Sequence, residues 1–114
     1  MSTDRELLEM AAKAAGISIV RSRLEDPMWR DMLLEPKHGI GIGWNPLEDD
    51  GDALRLAIQL QIEIKPATDS GFALCKAASM KTGIAETCIF DGDPWIATRR
   101  AIVRAAAEIG RNLP

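Results

Sequence analysis

The sequence predicts an α+β domain in which a mainly antiparallel sheet lies between helices, in α/β/α layers. Three observations carry this expectation. Helical signals stand at the N-terminus, in the middle and at the C-terminus of the chain. Between them, runs alternate apolar and polar residues or carry β-branched ones. One apparent hairpin is apolar on both faces, and a sheet of that kind needs cover on both sides.

The first helix begins at Thr3-Asp4-Arg5-Glu6, a capping box in which the Thr hydroxyl and Glu carboxylate each accept a backbone N–H. Leu7, Leu8, Met10, Ala11, Ala14 and Ala15 then share one side, and Gly16 suits a left-handed cap. Ile17-Ser18-Ile19-Val20 reads as a short strand. Residues 25–44 admit two readings. Asp26-Pro27 could start a short helix carrying Met28, Trp29, Met32 and Leu33. The preferred reading is a hairpin of Met32-Leu33-Leu34 and Ile40-Gly41-Ile42, turning through Glu35-Pro36-Lys37-His38-Gly39.

From about Asp50 to Leu60 a second helix is expected, with Ala53, Leu54, Ala57, Ile58 and Leu60 on its apolar face. Leu60 to Lys65 alternates as a strand that Pro66 should end. Gly71–Ala78 and Ile84–Asp91 form the arms of a hairpin around residues 79–83. With Lys81 and Thr82 central, Leu74 pairs with Ile89, Ala73 with Phe90 and Cys75 with Cys88. Asp93-Pro94 starts the last helix, which runs to about Asn112. Trp95, Ile102, Ala106, Ile109 and Leu113 gather on one side, and Arg100, Arg104 and Arg111 form a stripe on the other.

At 114 residues, with 46 % hydrophobic and 27 % charged side chains, the chain has the size and balance of one domain, residues 1–114. A net charge of −3, a pI near 5.1 and 4 % aromatics weigh against a general nucleic-acid binder, which needs clustered cations and stacking platforms. Nothing in the sequence reads as a signal peptide or membrane span, so a cytosolic protein is expected. Two cysteines outside any CxxC spacing and one histidine do not compose a zinc site, and no cofactor is indicated.

Few residues suggest chemistry. The Arg stripe could grip phosphate or a partner's carboxylates with planar guanidinium forks, or could be a solvated face with Glu108 pairing Arg104 and Arg111. Arg99 falls within the apolar sector, where a charge must snorkel or meet an acid. Glu48-Asp49-Asp50-Gly51-Asp52 looks like a metal site, yet calcium loops started at Asp49 or Asp50 find Leu60 or Gln61 at the twelfth position. Acids at a helix start, stabilised by its dipole, explain the cluster. Gly39-Ile40-Gly41-Ile42-Gly43 lacks the P-loop lysine and the dinucleotide spacing. Trp44 beside Asn45 could cover a planar ligand, or Trp44 could anchor the core. His38 sits beside no nucleophile, so no catalytic residue is assigned and a non-enzyme is expected.

Four segments together resemble a known group: Asp4-Arg5-Glu6-Leu7-Leu8, Trp44-Asn45-Pro46-Leu47, residues 49–57 (Asp-Asp-Gly-Asp-Ala-Leu-Arg-Leu-Ala) and residues 97–110 (Ala-Thr-Arg-Arg-Ala-Ile-Val-Arg-Ala-Ala-Ala-Glu-Ile-Gly). They are similar to small bacteriophage and prophage proteins with a phage ABA-sandwich domain. The likeness covers most of the chain and weakens between Ile17 and Gly43. It implies a sheet held between helices. More distantly, the element order is similar to the Thoeris anti-defence sponge proteins, which sequester cyclic ADP-ribose-type signals through arginines of a C-terminal helix at a subunit interface. On that resemblance Arg100 and Arg104 become ligand-binding candidates, Arg100-Ala101 through a shared Arg-Ala step and Arg104 through spacing alone.

The resemblance implies a homo-oligomeric phage accessory protein in the host bacterial cytoplasm that counters host defence by sequestering an anionic cyclic nucleotide without turnover. Arg99, Trp44 and Asn45 join the candidate ligand-binding residues on their own chemistry. The alternative is a protein-binding inhibitor of a host defence complex such as CRISPR. A third reading is a small metabolic enzyme or nucleotide hydrolase.

Overall fold

The computed structural model describes residues 3–17, 20–21, 33–35, 42–69, 72–80, 82–91 and 93–113. It is a mixed α+β fold. The first helix, α1, spans Asp4–Ala15. Thr3 caps it, its hydroxyl accepting the Glu6 N–H at 3.1 Å. At the other end Gly16 takes φ 70°, ψ 23°, and the Ile17 N–H reaches back to the Ala12 carbonyl at 2.9 Å. That closure needs a left-handed residue, which glycine supplies without steric cost.

Short strands β1 (Val20–Arg21), β2 (Leu33–Glu35) and β3 (Ile42–Gly43) form an antiparallel sheet in that order, with Leu34 opposite both Val20 and Gly43. Leu33 and Leu34 are therefore in a strand that pairs with Ile42–Gly43, as the hairpin reading requires, and Glu35, expected in the turn, is paired with Ile42. Met28, Trp29, the turn at 36–39, Ile40, Gly41 and the strand expectation for Ser18 and Ile19 lie outside the described residues.

Helix α2 spans Asp50–Gln59, capped by Asp49, whose carboxylate accepts the Asp52 N–H at 2.8 Å. Its buried residues are Ala53, Leu56 and Ala57, followed by Leu60. Leu54 and Ile58, expected on the apolar face, are exposed. The cause is rotational: at 100° per residue, Leu56 rather than Leu54 completes the sector set by Ala53, Ala57 and Leu60.

The larger sheet runs β4 (Ile62–Asp69), β5 (Phe72–Ser79), β6 (Ala85–Asp91), antiparallel throughout. Its second hairpin has the register expected from its turn: Ala73 opposite Phe90, Leu74 opposite Ile89 and Cys75 opposite Cys88. Pro66 does not end β4, which continues to Asp69. A proline is tolerated there because β4 is an edge strand, where a missing N–H leaves no neighbour unpaired.

Helix α3 (Pro94–Arg111) begins where Asp93 accepts the N–H groups of Trp95 and Ile96 at 2.9 and 3.0 Å. It is the hub of the fold, contacting all three strands of the larger sheet as well as α1 and α2. Burial on several sides explains its composition. Ala97, Ala101, Val103, Ala105, Ala106 and Ala107 are inaccessible, and small side chains let neighbouring elements approach closely. Trp95, expected in the apolar sector, instead projects into solvent from the first turn. On the sheet beneath α3, Ile62 and Ala77 are buried while Glu63, Lys65 and Ala85 are exposed, so in this stretch one face meets the core and the other meets water. The rows that suggested cover on both faces, Ala73–Phe90 and Leu74–Ile89, lie outside the described side chains. Among the described residues no helix is long and apolar enough to cross a membrane.

Candidate anion cleft along the last helix

The outward stripe of α3 faces a cleft of about 620 Å³ lined by Glu6 and Leu7 of α1, Glu86 of β6, and Arg100, Arg104, Glu108 and Arg111. Two elements supply its walls because α3 packs against both, so the one polar sector of an otherwise buried helix opens between them. The lining holds three guanidinium groups and three carboxylates.

The arginines differ in how firmly they are held. Arg100 Nη2 donates to Asp4 Oδ1 at 2.9 Å, and Asp4 is largely exposed. Arg111 is bonded to Glu108 one turn away. Arg104 is 45 % exposed and its contact is with Glu86 at 3.9 Å, too long for a hydrogen bond. Among the described residues, Arg104 thus presents the guanidinium fork most available to an incoming acceptor. Solvent-exposed ion pairs of this kind contribute only about 0–1 kcal/mol each, so a ligand with several anionic oxygens can exchange for them at small cost.

The other candidates are committed to the scaffold. Arg99 is only 16 % exposed; its Nη1 pairs with Asp50 Oδ1 at 2.6 Å and its Nε donates to the Leu47 carbonyl at 2.9 Å. It answers an acid, as a cation in an apolar sector must, and ties α3 to the start of α2. Trp44 is 6 % exposed and belongs to the core, which leaves no face for a planar ligand. Asn45 builds the turn into α2: its Oδ1 accepts the Leu47 N–H at 3.1 Å, its own N–H donates to Asp52 Oδ2 at 3.0 Å, and its carbonyl accepts the Asp49 N–H at 2.8 Å. Neither Trp44 nor Asn45 lines the cleft. The acidic cluster has the same explanation, since Asp49 caps the helix, Asp50 holds Arg99 and Asp52 holds Arg55 at 2.7 Å. Among the described residues no group of three or more His, Cys, Asp or Glu side chains could hold a metal ion. His38 lies outside the described residues.

A second concavity went unread in the sequence. It has a volume of about 440 Å³ and lies between α2 and α3, lined chiefly by Ala53, Leu54, Ile64, Trp95 and Ile102, with Asp50 and Arg99 at its polar edge. Its signal was Leu54, an apolar residue outside the sector that Leu56 completes.

No family model matches the chain, and no curated protein or solved structure does so either.

Proposed function

We propose that this protein is a binding protein that sequesters an anionic nucleotide in the α3 cleft and returns it unchanged. The observation that carries the reading is Arg104, set between Arg100 and Arg111 in a cleft of nucleotide scale, with no acceptor within hydrogen-bond distance among the described residues. The volume lies within the range of about 300–1,000 Å³ typical of small-molecule sites. Guanidinium forks match phosphate oxygens two at a time, which favours ligands with more than one phosphate charge. Because Glu6, Glu86 and Glu108 balance the three guanidinium charges, the cleft favours an anion that meets more than one arginine at once over a simple anion.

With the resemblance to phage ABA-sandwich and Thoeris anti-defence proteins, the ligand class becomes a cyclic nucleotide immune signal, and the role becomes phage counter-defence in the host bacterial cytoplasm. The layered α/β/α arrangement is part of the same proposal.

Thermal denaturation against a panel of cyclic nucleotides, cyclic ADP-ribose among them, tests the reading. At a ligand concentration of about 100 Kd, binding to the folded state adds about 2.7 kcal/mol. A melting temperature raised by several degrees in the wild type, and by about half as much or less in Arg104→Ala, is expected. No shift with any of the panel at millimolar concentration would remove the proposal.

A further inference from the structure

We infer that the outer edge of α2 is where a second copy of this chain docks, as a two-fold dimer in which Trp95 of each copy enters the α2–α3 groove of the other. Four large apolar side chains, Trp95, Leu54, Ile58 and Met80, are between 57 % and 70 % exposed. They are not scattered. Leu54 and Trp95 line the same groove, Ile58 is one turn beyond Leu54, and Met80 is tied to the end of α2 through Gln61, whose N–H donates to Ile58 and whose carbonyl accepts the Met80 N–H.

Together these residues expose on the order of 450 Å² of apolar side chain, within the range of the largest patches on monomers, which are often functional. Two copies would bury about 900 Å² of it, and the surrounding rim brings the total to the roughly 1,000 Å² that a weak specific interface requires.

The occupant follows from shape and charge. A two-fold contact needs one patch that is complementary to itself. Here a projecting indole stands directly beside an open apolar groove with room for an indole ring, so ridge and hollow are present on the same surface. The two charged residues that line the groove, Asp50 and Arg99, neutralise each other at 2.6 Å. A nucleic acid or a strongly charged peptide finds nothing to attract it there, whereas a second copy meets an equally neutral apolar face despite the chain's net charge of −3. This inference does not rest on the anion cleft, which lies on a different side of α3 and shares no lining residue with the groove.

Sedimentation equilibrium of the full chain over a wide concentration range tests it. The expected result is a mass rising from 12.4 kDa toward twice that value, with Kd on the order of 1–50 μM. Leu54→Glu and Ile58→Lys, both at exposed positions, should each weaken association at least tenfold while retaining the wild-type far-ultraviolet circular dichroism. Two folded variants guard against a misfolding artefact. A wild type that stays at the mass of one chain up to 0.5 mM overturns the inference, even if an amphipathic helical peptide fills the groove, and so does a dimer that both variants leave unchanged.

Discussion

Replacing Gly110 by Ala tests the packing that makes α3 the hub. A β-carbon built on Gly110 would stand 2.0 Å from the Met10 carbonyl oxygen and 2.8 Å from its carbon, where ordinary contact begins at 3.4 Å. The obstacle is the backbone of α1, which has no rotamer to change, so the two helices must part by about 1.4 Å. Separation on that scale forfeits much of the van der Waals attraction along the seam. Overpacking typically costs about 1–3 kcal/mol, and a clash with backbone belongs at the upper end or beyond. Alanine's better helix propensity returns at most about 1 kcal/mol. The net loss expected is about 2–3 kcal/mol, or roughly 10 °C in Tm for a domain of this size. Urea and thermal unfolding followed by circular dichroism measure it. Gly83→Ala is the comparison: φ is +78° and nothing lies within 4 Å of the added methyl, so only the left-handed backbone penalty of about 1 kcal/mol applies. A Gly110→Ala protein as stable as the wild type, or less affected than Gly83→Ala, would refute the close-approach argument.

Other substitutions separate scaffold from site. Asp93→Ala removes the acceptor of two N–H groups and should cost about 1–2 kcal/mol by urea unfolding, more than Thr3→Ala, which removes the acceptor of one. Arg99→Met leaves the Leu47 carbonyl without its donor in a mostly buried place, for a loss of about 1–2 kcal/mol, whereas Lys65→Met breaks an exposed pair with Glu63 and should cost under about 0.5 kcal/mol. Arg104→Ala should unfold within about 0.5 kcal/mol of the wild type, yet lose nucleotide binding at least tenfold by calorimetry.

How much of this was legible in the sequence depends on whether a feature is local. Thr3, Asp49 and Asp93 act on N–H groups two or three residues away, so the helix starts could be read directly. The register that sets Cys75 opposite Cys88 follows from the turn alone. What failed had two causes. Leu54 and Ile58 were assigned to the core although the sector set by Ala53, Ala57 and Leu60 takes Leu56 instead, which the spacing itself allowed. Trp95 shares a sector with Ile102 but stands in the first turn of α3, and whether anything covers that turn depends on neighbours distant in sequence. Pro66 signals a strand end unless the strand is known to lie at an edge. For the candidate site, the Arg100–Arg104–Arg111 stripe was visible as spacing. The facing carboxylates Glu6 and Glu86 were not, since they come from α1 and β6. Arg99 announced itself as a misplaced charge, and its partner Asp50 lies 49 positions away.

Native mass spectrometry of the full chain with cyclic ADP-ribose, followed by denaturation and identification of what is released, bears most directly on sequestration in the α3 cleft. The wild type should gain the mass of one ligand per chain and release it chemically intact, and the Arg100→Ala/Arg104→Ala protein should gain none. An adduct that persists in the double variant, or a ligand released in altered form, would contradict the account.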